Sequence, residues 1–173
     1  MQCSRWAHRF DDEAPTIEAI LEKTRVAVLR YGVRGLAIDP YNEIEHRRPA
    51  NMTETEYVSQ LLGKVKRFAQ QHDVHVWFVA HPSKLQRENS GSRPVPTLYY
   101  DIAGSANWVN KADLGIVVHR DHDKDPARTE IHIRKVRFKS VGKIGGMALR
   151  WDRATGRYAE IADAYVPRAY RDG

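Results

Sequence analysis

The chain of 173 residues has a single cysteine, Cys3, so an internal disulfide is impossible and a disulfide-stapled secreted scaffold is excluded. No apolar run approaches the about 18 to 20 residues needed to cross a bilayer, and the opening Met-Gln-Cys-Ser-Arg-Trp offers no apolar signal segment. A soluble intracellular protein is expected. There is no Gly-x-Ser-x-Gly, no cysteine–histidine pairing for nucleophilic catalysis, and no Gly-x-x-x-x-Gly-Lys-Ser/Thr phosphate loop. Internal repeats, low-complexity tracts and linkers are also lacking, which predicts one domain over residues 1–173, long enough to bury roughly 70% of its unfolded surface. What the chain has in excess is positive charge: 28 Lys and Arg against 22 Asp and Glu, a net +6. That balance favours polyanionic partners.

Apolar spacing predicts a helix over 15–31, with Ile17, Ile20, Leu21, Val28 and Tyr31 on one face, Pro15 in its first turn and Gly32 as a left-handed cap. Leu36, Ala37 and Ile38 read as a buried strand that stops at Asp39 and is broken by Pro40. Thr53 and Glu56 form a capping box for a second helix, apolar along Tyr57, Leu61, Val65, Phe68 and Ala69 and basic at Lys64, Lys66 and Arg67. A second buried strand, Val74 to Ala80, ends in His81 and Pro82 and gives way to a polar loop over 83–97. A short helix is expected from Ser105 to Lys111, then a third buried strand from Leu114 to Val118 ending at His119. Beyond the turn Asp121 to Pro126, strands are expected near 129–138, 146–151 and 157–161. Three continuous apolar strands separated by helices give an α/β fold, a parallel sheet covered on both faces with antiparallel strands added at the C-terminal side.

Ligands of open parallel sheets bind beyond the carboxyl ends of the strands, where this chain carries Asp39, His81 and His119. A carboxylate there suits a magnesium ion that keeps several waters beside phosphate oxygens; equally, Asp39 before Pro40 is an ordinary turn opener. His81 closes a strand whose only other polar residue is His75, and a satisfied turn histidine is the commoner outcome for a lone histidine. The densest basic stretch, Ile131 to Lys143, carries Arg134, Lys135, Arg137, Lys139 and Lys143 and no acidic residue. Strict alternation to Phe138 puts Lys135 and Arg137 on the face of Ile131 and Ile133, with Arg134 opposite. Arg137 then fits a phosphate clamp with Lys135 as a point charge beside it, or else a solvated edge strand guarded by charge. Lys84, Arg87 and Arg93 lie in the loop after His81 and suit a nucleic-acid backbone. Glu43, Glu45 and His46 after Asp39 have the residue types of a two-metal nuclease. His119 and His122 with Asp121, Asp123 and Asp125 match no tetrahedral spacing and read as a solvated turn.

Leu-Ala-Ile-Asp-Pro-Tyr-Asn-Glu at 36–43, Val-Trp-Phe-Val-Ala-His-Pro at 76–82, Asp-Ile-Ala-Gly-Ser-Ala-Asn-Trp at 101–108 and Arg-Lys-Val-Arg-Phe at 134–138 occur in that order. The set resembles the C-terminal half of the RecA-like motor of hexameric replicative DNA helicases, of the phage-type primase-helicase, Twinkle and DnaB-like kind, from about Phe10 to about Glu160. The resemblance implies that Asp39 is the Walker B carboxylate holding a magnesium-bound water, and that His81 is the sensor of the nucleotide's γ-phosphate. Lys84, Arg87 and Arg93, with Gly104 and Ser105 in a second loop, would face single-stranded DNA. Arg137 would be the arginine finger reaching a neighbouring subunit of a homo-hexameric ring, helped by Lys135.

The same resemblance implies ATP or another NTP with Mg2+ as cofactors of the whole motor, no membrane partner, and a cytoplasmic setting of bacterial or phage origin. Two departures qualify it. The family's phosphate loop and catalytic glutamate are not in this chain, so the expectation is a motor truncated at its N-terminus that does not hydrolyse ATP alone. Ala103 stands where phage relatives can carry a basic DNA-contacting residue. The competing functions are a non-enzymatic nucleic-acid-binding module and the metal-dependent nuclease.

Overall fold

The computed structural model describes residues 15–82, 102 and 106–161, and the chain falls into two compact units, Met1–His81 and Pro82–Gly173. In the first unit, helix α1 (Ile17–Tyr31) starts at Thr16, whose hydroxyl accepts from the Ala19 N–H, and ends at Gly32 with φ 65°. Thr16 is therefore the N-cap, and Pro15 precedes it instead of lying in the first turn. Ile17 and Thr24 are the buried positions, whereas Tyr31 is 65% exposed and does not continue the apolar face. Helix α2 (Glu54–His72) has the expected capping box, Thr53 with Glu56. Val58, Leu61, Leu62, Val65 and Phe68 are its buried residues.

Strands β1 (Gly35–Ile38) and β2 (His75–Phe78) pair in parallel, with Ile38 opposite Phe78. The α2 helix packs on α1 and on β2, and the Lys64 ammonium reaches the Glu18 carboxylate of α1 at 2.5 Å. Neither strand is buried on both faces. Burial alternates: Leu36 and Ile38 are covered more than Gly35 and Ala37, and Trp77 is 52% exposed. A continuous apolar run therefore overstated the coverage of this sheet, because period-2 geometry still sends alternate side chains outward.

In the second unit, the short helix α3 (Asn107–Lys111) is followed by β3 (Leu114–His119), β4 (Arg128–Val136), β5 (Gly145–Trp151) and β6 (Tyr158–Glu160), an antiparallel sheet in that order. Strand β3 has β4 as its antiparallel ladder partner. A correction concerns β4. The register slips between Gly115 and Ile116, so that Ile116 faces Ile133 while Gly115 faces Lys135. Neighbouring residues of β3 point to opposite faces, so Ile133 and Lys135 do too, and Lys135 leaves the face that strict alternation assigned it. One face of the sheet carries the buried Val117, His132 and Ala148, and the same unit buries Trp108 and Val109 of α3. The other face carries Leu114, Ile116, Val118 and Met147, all at least 40% exposed. Among the described residues no helix is long and apolar enough to cross a membrane.

Candidate functional site

Asp39 and His81 come together through backbone rather than through side chains. The Val79 N–H donates to the Ile38 carbonyl at 2.9 Å, and the Tyr41 N–H donates back to the Val79 carbonyl at 2.8 Å. These bonds extend the parallel ladder beyond the ends of β1 and β2, around the cis Asp39–Pro40 peptide. Asp39 and His81 thus occupy the same carboxyl edge, both with exposed side chains. Exposure keeps either side chain available to a ligand and leaves the carboxylate hydrated.

Behind Asp39 the chain makes a 3-10 turn, Tyr41–Glu43, and the ring of Tyr41 is buried at 9% exposure. His46 lies against it, ring centres 4.4 Å apart, and is edge-on to Tyr57 at 5.6 Å with Nδ1 3.4 Å from the Tyr57 hydroxyl. Burial pushes the Tyr41 hydroxyl up to about 12, so it stays protonated across the physiological range. This aromatic cluster fastens the turn after Asp39 to the first turn of α2. Sequence reading missed it because its members are spread over residues 41–57; the aromatic residues of that segment were the available signal.

The nuclease set does not assemble. Glu45 pairs with Arg47 at 3.1 Å and His46 belongs to the aromatic cluster. Among the described residues no group of three or more His, Cys, Asp or Glu side chains could hold a metal, which covers Asp39, Glu43, Glu45 and His46. A lone exposed carboxylate does fit a magnesium ion that arrives with a nucleotide, since such an ion takes one or two carboxylates and its remaining ligands from phosphate and water.

In the second unit Arg137 follows the last residue of β4, and its contacts are local. Its Nε lies 2.6 Å from the Asp113 carboxylate, and Nη2 donates to the carbonyls of Asn110 at 2.6 Å and Ala112 at 3.1 Å. Its backbone N–H donates to the Asp113 carbonyl at 2.8 Å. Lys135 donates through Nζ to the Val109 carbonyl. Both cations therefore sit at the C-terminal end of α3, where the carbonyls left over from the helix favour positive charge. Asp113 was not singled out from the sequence; its place between α3 and β3 was the available signal.

Deeper in this sheet, Glu130 lies 2.9 Å from Arg128 and 3.1 Å from the Nε2 of His132. Burial pushes the Glu130 carboxyl up, but Arg128 and His132 outweigh it and the net direction is down. His132 is held below the usual histidine range, first by its burial and then by the charge of Arg134. Lys84, Arg87, Arg93, Gly104 and Ser105 lie outside the described residues.

No model of a protein family matches the chain. It is 53% identical over 152 residues to the chloroplastic/mitochondrial Twinkle homolog protein of Arabidopsis thaliana, a match that takes in 86% of this chain and 21% of that protein. It superimposes with a TM-score of 0.69 and 25% identity on a DnaB-like replicative helicase whose structure was described together with its interactions with primase, covering 88% of this chain and 37% of that one. The chain is thus a homologue of a replicative helicase region and has an α/β fold of that kind, and it spans about a fifth of the length of its curated relative.

Proposed function

We propose that this chain is the C-terminal half of the motor of a ring-forming, NTP-driven replicative DNA helicase. The observation that carries the reading is the 53% identity to the Twinkle homolog over 152 residues. The backbone tie that puts Asp39 and His81 on one edge supports it.

In this reading Asp39 would hold a hydrated magnesium ion, which would supply positive charge beside the phosphates of an NTP. His81 donates a hydrogen bond towards the terminal phosphate from the neighbouring strand. Lys84, Arg87 and Arg93, with Gly104 and Ser105, contact single-stranded DNA. Arg137, with Lys135 beside it, offers its guanidinium to the nucleotide of an adjoining subunit in a homo-hexamer. A positioned arginine of this kind contributes about a thousandfold or more to phosphoryl transfer, whereas a surface arginine contributes almost nothing.

The test is a chimaera in which this chain replaces the matching 152 residues of the Arabidopsis relative. DNA-stimulated NTP hydrolysis that disappears on Asp39→Ala and on His81→Ala is the expected result. Mixing Arg137→Ala subunits with Asp39→Ala subunits should restore turnover at interfaces where an intact Asp39 meets an intact Arg137. Mixed rings without recovery would remove the trans assignment, and chimaeras indifferent to Asp39→Ala would remove the motor reading. For DNA, replacing Lys84, Arg87 and Arg93 together should weaken binding of single strands and flatten its salt dependence, by about 0.7 in slope for each phosphate no longer neutralised.

A further inference from the structure

A guanidinium has five N–H donors, and on Arg137 both hydrogen bonds to backbone carbonyls, of Asn110 and Ala112, leave from Nη2. Nε stands 2.6 Å from the Asp113 carboxylate as an ion pair. The two donors of Nη1 have no acceptor among the described residues. The side chain is 35% exposed and that of Asp113 is 48% exposed, so the pair stands at the surface rather than in a core. Asp113 also holds the Arg137 backbone N–H through its own carbonyl, which fixes where the side chain begins as well as how it is turned.

We propose that Asp113 is the positioning residue of Arg137: its charge, paired at the Nε side while Nη2 is held by two carbonyls, leaves the Nη1 edge as the one offered to a phosphate. The proposal deepens the reading of Arg137 as a phosphate-contacting finger and rests on it. An arginine loosely tethered at the surface samples many rotamers, and each one frozen in advance spares that cost when the phosphate arrives. Asp113 takes no part in the reaction; it acts through the guanidinium.

The chain itself carries the first measurement, 15N NMR of the Arg137 side chain during titration with inorganic triphosphate. The expected result is a shift at Nη1 larger than at Nε, with that difference lost in Asp113→Ala. A shift at Nε as large as at Nη1, or no shift at all, overturns the proposal. The second measurement is steady-state NTP hydrolysis by the chimaera. Asp113→Ala should lower kcat about tenfold with KM unchanged, Asp113→Glu, which keeps the charge, should recover most of it, and Asp113→Ala combined with Arg137→Ala should be no slower than Arg137→Ala alone. Effects that add in the double variant, or a normal rate in Asp113→Ala beside an impaired Arg137→Ala, overturn the positioning role. A normal rate in Arg137→Ala instead defeats the finger reading, and the edge assignment then stands or falls on the NMR titration.

Discussion

At the scale of single residues, the second unit holds two buried polar groups with opposite consequences. His132 is 3% exposed and its titration is displaced downward, so below its ordinary value of 6.5 the unfolded chain takes up a proton that the folded chain refuses. Stability is therefore full above 6.5 and falls as pH drops below it. The urea midpoint should decline between pH 7.5 and 5.5, and the decline should flatten in His132→Gln. Thr129 is 5% exposed and its hydroxyl has no hydrogen-bond partner among the described residues. An unmet buried hydroxyl costs about 1 to 3 kcal/mol, so Thr129→Val should raise stability by about 1 kcal/mol in urea denaturation.

Elements were legible where their signals are local. The α2 capping box could be read from Thr53 and Glu56 alone, and the structure has all of it: the Glu56 N–H donates to the Thr53 hydroxyl at 3.3 Å and the Thr53 N–H donates to the Glu56 carboxylate at 2.9 Å. Thr53→Ala should cost about 1 kcal/mol, read as a lower thermal midpoint with unchanged helical signal at 20 °C. The three C-terminal strands were also placed within two residues of their observed ends. What local pattern could not supply was partnership. No periodicity announces the bulge opposite Gly115 and Ile116 that turns Lys135 to the other face. The candidate site shows the same division. Asp39 and His81 were readable as strand ends, whereas the Asp113 grip on Arg137 joins residues 24 apart in sequence and needed the fold to become visible.

At the scale of the molecule, each unit presents a sheet with one face covered and the other open. The open face of the second unit gathers Leu114, Ile116, Val118 and Met147, with Val118 66% exposed. Apolar surface of this kind promotes association unless something covers it. Val118→Lys should therefore raise the concentration at which the chain begins to associate, measured by light scattering, with stability in urea changed by no more than about 0.5 kcal/mol. The absence of a phosphate loop from the sequence carries a separate expectation: the chain alone should show no ATP hydrolysis above background in a phosphate-release assay.

The bonds from Val79 to Ile38 and from Tyr41 to Val79 have a mechanical consequence. Hydrogen bonds in a ladder resist stretching far more than side chains resist turning, so the turn at Asp39 and the strand end before His81 move as one stiff plate. The backbone that runs on from Val79 to His81 therefore starts from a point pinned to the turn at Asp39.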